Sequence, residues 1–329
     1  MGKPDSTLAS RLSFTLLVPA DYLDCSYGFR PGRSAHDALD EVGRVICRRP
    51  TEYVLELDIS SYFDSIVRKQ LMEMVAWRVT DSSILGLIGK WINIIDDGRL
   101  LKSETGTGQG QIISPLLANI YLHHVLDVWF ETEVKPRLRG EAYEIRYADD
   151  GLLCFQYQED AERVLEVLPK RFAKYGLTLH PEKTRLVKFG RSAHYQAKRE
   201  KTKTATFDFL GFTHRCATGR SGKFALHLGT MKKRLRRGLI AISAACREHL
   251  HAPLDYQQKI LNAKLRGHYQ YYGRPTNFRC LVKFAQAVRG TWRKWLARRS
   301  GRGLSWQRFD RIHARYPLLR PRITHAWTN

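Results

Sequence analysis

The chain has 329 residues, 43% of them hydrophobic, enough for one large or two moderate domains with a real core. Lysine and arginine outnumber the acids 55 to 32, and the formal net charge of +23 calls for a polyanionic partner, through phosphate neutralisation and counter-ion release. No apolar run approaches the ~20 residues that cross a bilayer. No charged-apolar-small leader opens the chain, and the six scattered cysteines hold no CxxC pair. These features argue against a membrane protein, a zinc ribbon and a disulfide framework, and for the cytosol of a prokaryote.

In chain order, residues 12–23 are apolar around Pro19 and read as a short helix ending near that proline. Tyr27-Gly28-Phe29-Arg30-Pro31-Gly32-Arg33-Ser34 is a glycine-proline loop. Arg30 and Arg33 present guanidinium forks suited to phosphate, although composition alone slightly favours an ordinary surface loop. Ser34 caps the next helix, with Asp37 near its start and Ala38, Leu39, Val42, Val45 and Ile46 at helical spacing. Residues 54–59 form a strand, with Leu55, Leu57 and Ile59 on one face and Glu56 and Asp58 on the other. Residues 68–97 hold a helix pair. Residues 104–111 make a glycine-rich turn into a helix capped by Ser114, with Pro115 in its first turn.

Residues 144–155 read as a hairpin: two apolar runs around Asp149-Asp150-Gly151, where Asp150-Gly151 is a strong two-residue turn signal. Turn-making explains one aspartate but not two adjacent ones in so acid-poor a chain. Paired carboxylates at a hairpin tip make an oxygen-rich corner suited to Mg²⁺. Asp58, ending a core strand, needs a cationic partner, a metal or a capping role. Asp58, Asp149 and Asp150 together could hold two ions roughly 4 Å apart, the arrangement that activates a 3′-hydroxyl and stabilises a leaving pyrophosphate. Downstream, residues 159–175 read as a helix that Pro169 kinks or splits, and residues 190–206 as a polar loop. Residues 207–212 read as a strand with a bulge or bend at Gly211. Beyond residue 228 the composition shifts. Residues 231–322 carry 23 Lys+Arg against three acids, Glu248, Asp255 and Asp310, on helical patterns interleaved with Tyr and Trp, a mixture suited to phosphates and bases.

Tyr147-Ala148-Asp149-Asp150, preceded by Leu57-Asp58-Ile59 and by Gly110-Gln111-Ile112-Ile113-Ser114-Pro115-Leu116-Leu117-Ala118-Asn119, resembles the reverse transcriptases encoded by bacterial group II introns. Residues 265–273 resemble the thumb, or maturase, segment of the same proteins. The resemblance runs from about residue 26 to the C-terminus. It implies an α+β right-hand polymerase: fingers and palm with an antiparallel palm sheet over residues 1–228, then a basic helical thumb over 229–329. It implies RNA-templated addition of dNTPs to a DNA primer with two Mg²⁺ ions held by Asp58, Asp149 and Asp150, and a splicing role on intron RNA. Phe63 would exclude a 2′-hydroxyl, Gln109 would line the nucleotide pocket, and Arg30, Arg33 and Lys183 would contact template or nucleotide phosphates. Two expected finger blocks before Tyr27 are missing, so an N-terminally truncated chain is expected. No HNH-like cluster follows the thumb, so no endonuclease domain is expected. Gly108 and Gln111 depart from the family's usual Pro and Gly. The missing blocks and this altered loop motivate an alternative, an RNA-binding splicing helper without polymerase activity.

Overall fold

Two antiparallel sheets organise the chain in the computed structural model, which describes residues 22–93, 104–107, 113–300 and 303–326. The first holds β1 (Tyr53–Leu57), β2 (Ala142–Tyr147), β3 (Asp150–Phe155) and β4 (Arg185–Lys188) in the order β2-β3-β1-β4. The second has the order β5 (Thr206–Phe209), β6 (Phe212–Thr218), β7 (Phe224–Thr230). The fold is α+β. Contacts divide the chain into two compact units, Met1–Leu210 with Cys216–Ala225, and Gly211–Arg215 with Leu226–Asn329.

In the first unit, β1 is buried on both faces, unlike the one-sided strand its alternation predicts. Leu55 and Leu57 join Leu153, Phe155, Leu71, Tyr121 and Phe172 in the main core. Glu56 is also buried and accepts hydrogen bonds from Arg185 Nε at 2.8 Å and from the Asp208 N–H at 2.7 Å, which offset the cost of burying it. Helix α1 (Ala35–Arg48) starts at the predicted Ser34 cap, a full capping box with Asp37. Helix α2 (Tyr62–Ser65) is one turn. It is followed by α3 (Arg68–Ala76) and α4 (Ser82–Asn93), the predicted pair as far as it is described. Helix α5 (Ser114–Leu122) takes Ser114 as its first residue, after Ile113, and runs into two π-helical stretches, His123–Asp127 and Phe130–Val134.

Further expectations need correction. Of the kink or split expected at Pro169, the split does not occur: α6 (Gln158–Ala173) is continuous through it, and buries Ala161, Val164, Leu168 and Phe172 against the sheet. The polar stretch read as a loop contains helix α7 (Arg191–Glu200). Its buried contacts are only Ala193 and Ala197, one turn apart, too small a stripe to stand out among lysines and arginines. The expected bulge at Gly211 is a hairpin turn between β5 and β6, with Leu210 and Gly211 both at positive φ, as a type I′ turn requires.

The second unit is helical after β7, with α8 (Lys232–Glu248), α9 (Leu254–Tyr272), α10 (Phe278–Ser300) and α11 (Trp306–Arg315). Leu261, Leu265, Tyr269, Phe284, Trp292 and Phe309 form its core. Much of its aromatic content is therefore structural. Trp292 is fully buried and donates its indole N–H to Gln257 Oε1 at 2.9 Å. The tail lies along α9, where the Asn262 amide accepts from Leu319 N–H at 2.8 Å and donates to Pro317 O at 3.2 Å. Lys232, Lys233, Arg234, Arg236 and Arg237 are exposed at the start of α8. No helix among the described residues is long and apolar enough to cross a membrane.

A candidate active site at the tip of the acidic hairpin

The β2–β3 hairpin turns two residues earlier than its sequence predicts. Tyr147 pairs with Asp150, so the turn residues are Ala148 and Asp149, not Asp150 and Gly151. Gly151 is a strand residue paired with Leu57 on β1, and a Cβ there would meet Leu57 Cδ1 at 3.3 Å. Close strand packing, rather than turn geometry, is what this glycine serves. Ala148 takes the left-handed conformation, φ 56°, that an alanine does not choose unaided.

Two neighbours hold it there. Arg146 is fully buried and uses all five of its N–H donors. Nε and Nη2 donate to the two Asp127 carboxylate oxygens at 2.6 and 2.5 Å, and Nη2 also to Ser26 Oγ at 2.9 Å. Nη1 donates to Asn119 Oδ1 at 2.6 Å and to the Ala148 carbonyl at 2.9 Å. Burial alone would raise the Asp127 carboxyl, but Arg146, with His123 beside it, outweighs burial and holds it below the usual carboxylate range. The second neighbour is Gly28, where a Cβ would lie 2.5 Å from Ala148 N. Its carbonyl accepts from Asn119 Nδ2 at 2.9 Å. A Gly28→Ala protein should therefore lose about 1–3 kcal/mol in a urea unfolding titration, the ordinary cost of forcing bulk into a packed site.

The register Leu57↔Gly151 sets Asp58 and Asp150 one step beyond that pair, on adjacent antiparallel strands at the same end of the sheet. Asp149 is exposed at the turn. Its carboxyl is nonetheless held above the usual range, chiefly by desolvation from the surrounding protein and then by the charge of Asp58. Lys183 Nζ stands 3.2 Å from Asp58 Oδ1, an exposed pair worth about 0–1 kcal/mol. The 180–184 turn positions it, with His180 N–H donating to the Asp58 carbonyl at 2.8 Å. Phe63 sits on α2, half-buried against the main core, and its carbonyl accepts from Thr107 N–H at 2.9 Å. Gln109, with Gly108 and Gln111, lies outside the described residues. Arg30 donates to the Leu23 and Ser26 carbonyls at 2.6 and 2.8 Å, and Arg33 pairs with Asp24 at 2.6 Å. Both arginines brace their own loop.

Sequence reasoning missed Arg146, Asp127, Asn119 and Gly28. The available signal was Glu144 and Arg146, two charges on one face of a strand adjoining the turn. That spacing also describes an ordinary solvated face.

The fold is that of a reverse transcriptase. The family model described as "Reverse transcriptase (RNA-dependent DNA polymerase)" matches residues 7–214, more than half of the chain, and the chain belongs to this family. It is 30% identical over 197 residues to the group II intron-encoded protein LtrA of Lactococcus lactis subsp. cremoris, a match covering 56% of this chain and 33% of that protein. It is 39% identical over 129 residues to protein YkfC of Escherichia coli K12, covering 38% and 34%. The matched region spans about a third of the length of these relatives. Apo telomerase from Candida tropicalis aligns over 94% of this chain and 56% of its own, with a TM-score of 0.49 and 13% identity.

Proposed function

We propose that this chain is an RNA-directed DNA polymerase of the group II intron type, with a splicing role on intron RNA. In this reading residues 1–228 are fingers and palm and residues 229–329 the thumb. The partners are template and intron RNA, a DNA primer and dNTPs, in the cytoplasm of a prokaryote. One observation carries the reading: the β1–β3 register that sets Asp58 alongside the Asp149-Asp150 turn. The donors are all hard carboxylate oxygens, and the Asp149 carboxyl is raised chiefly by desolvation and then by the charge of Asp58. Both features fit a divalent cation of the Mg²⁺ kind, the class of ion that reverse transcriptases use. Two such ions, when bound, activate a primer 3′-hydroxyl and neutralise the leaving pyrophosphate.

The chain's own residues do the rest. Asp58, just past the end of β1, and Asp149, in the adjacent β2–β3 turn, orient the reacting groups, with Asp150 beside them. Arg146 and Gly28 fix the turn, so positioning costs little at the moment of reaction. Lys183 is placed to contact a phosphate, and Arg33 to exchange Asp24 for one beside Arg30. Phe63 and Gln109 shape the sugar pocket. The test is primer extension on poly(rA)/oligo(dT) with Mg²⁺, beside a binding assay on the same template. DNA products are expected. Template binding without extension would leave only an RNA-binding splicing helper.

A further inference from the structure

On the far side of Arg146 from the turn lies a second group of metal-ligating side chains that the polymerase reading does not use. Cys25 Sγ and carboxylate oxygens of Asp127 and Glu144 all lie within 4.8 Å of one another. We propose that these three residues form a cation site for a thiophilic divalent ion of the zinc class, separate from the acidic hairpin.

Glu144 carries the argument. It is 6% exposed, and neither of its carboxylate oxygens has a hydrogen-bond partner outside the group itself. An isolated buried carboxylate is costly and calls for a proton or a cation. Cys25 and Asp127 beside it supply no positive charge, and Arg146, the one cation acting on it from nearby, sends its donors to Asp127, Asn119, Ala148 and Ser26 instead. Cys25 and Glu144 also line a cavity of about 540 Å³, shared with Glu41, Glu131, Arg33, Arg44 and Lys135. The cavity gives an ion a route in and leaves room for a water as a further ligand.

Charge and geometry both close. Arg146 contributes one positive charge against Asp127 and Glu144. A divalent ion with a Cys25 thiolate brings the group to neutrality. Asp127 already accepts from two Arg146 donors, but a carboxylate has about four lone-pair sites, so a ligand position remains. Bonds of about 2.0–2.3 Å put tetrahedral ligands roughly 3.3–3.8 Å apart, so the group contracts by about 1 Å on binding. Mixed sulfur and oxygen donors favour zinc or cobalt over magnesium, which separates this site from the hard-oxygen hairpin. Burial pushes the Cys25 thiol and the Glu144 carboxyl well above their usual ranges, and a bound cation is what reverses such a shift.

The test is a Co²⁺ titration of the full chain in excess Mg²⁺, following the thiolate-to-cobalt charge-transfer absorption in the near ultraviolet. A single saturable site is expected, displaced by Zn²⁺ and unaffected by Asp149→Asn. Cys25→Ser should abolish the band. Glu144→Gln, which leaves the thiol in place, should weaken binding roughly tenfold or more. Absence of the band, or a band that survives Cys25→Ser, overturns the site and means that Glu144 is held neutral by a proton instead.

Discussion

An Asp127→Ala protein is expected to lose about 3–5 kcal/mol of unfolding free energy, the cost of leaving a buried charge without its partner. Arg146 has no route to water: it is fully buried, and two of its five donors end on Asp127. A surface ion pair would show almost nothing in the same experiment. Urea titration followed by a signal from the first unit is the measurement, and a loss below about 1 kcal/mol would contradict the network. Primer extension should fall as well. Arg146 also fixes the Ala148 carbonyl, and a slackened guanidinium releases the strained residue beside Asp149. An Asp127→Asn protein keeps one acceptor oxygen and is expected to lose less on both counts.

Asp149→Asn separates stability from activity in the opposite sense. The residue is exposed at the turn, and the substitution is nearly isosteric. Its folded-state carboxyl lies above the ordinary value, chiefly through desolvation and then through Asp58. A carboxyl raised on folding penalises the native state once pH exceeds the unfolded-state value, and that penalty vanishes in acid. The variant should therefore be at least as stable as wild type at pH 7. Nucleotide addition should nonetheless fall by roughly a thousandfold, about 4 kcal/mol of lost transition-state stabilisation. The difference in stability should disappear as pH is lowered below the ordinary carboxylate range. Activity retained within tenfold would remove Asp149 from the site.

How legible the molecule was depended on how far each feature reaches along the chain. The Ser34 cap, the helix pair after Asp58 and the helices around Leu261, Leu265 and Trp292 follow from patterns within one or two turns, and they are present. The strands bearing Asp58 and Asp149-Asp150 could also be read, because apolar residues flank both. The exact turn could not. Asp150-Gly151 is the better local signal, yet Gly151 is claimed by Leu57 across the sheet, and Ala148 is forced into the turn by Gly28 and Arg146. Tertiary contacts outweigh turn propensity by the cost of one left-handed alanine, about 1–2 kcal/mol. Helix α7 stayed hidden because two alanines are its only buried contacts. The buried Arg146 network was invisible for a related reason. Its partners Ser26, Asn119 and Asp127 are widely spaced in sequence, and each alone reads as an ordinary polar residue.

The central claim is that Asp58 and Asp149 face a common metal. Iron-directed cleavage in a Cys25→Ser background, which removes the other proposed cation site, tests it most directly: Fe²⁺ takes the place proposed for Mg²⁺, ascorbate and peroxide generate radicals there, and the cut sites are mapped by mass spectrometry. The account predicts cuts near residue 58 and near residue 149 in the same molecule, suppressed together by excess Mg²⁺ and lost together in Asp58→Asn. Cleavage at one segment without the other, or cuts near 149 that persist in Asp58→Asn, would contradict it.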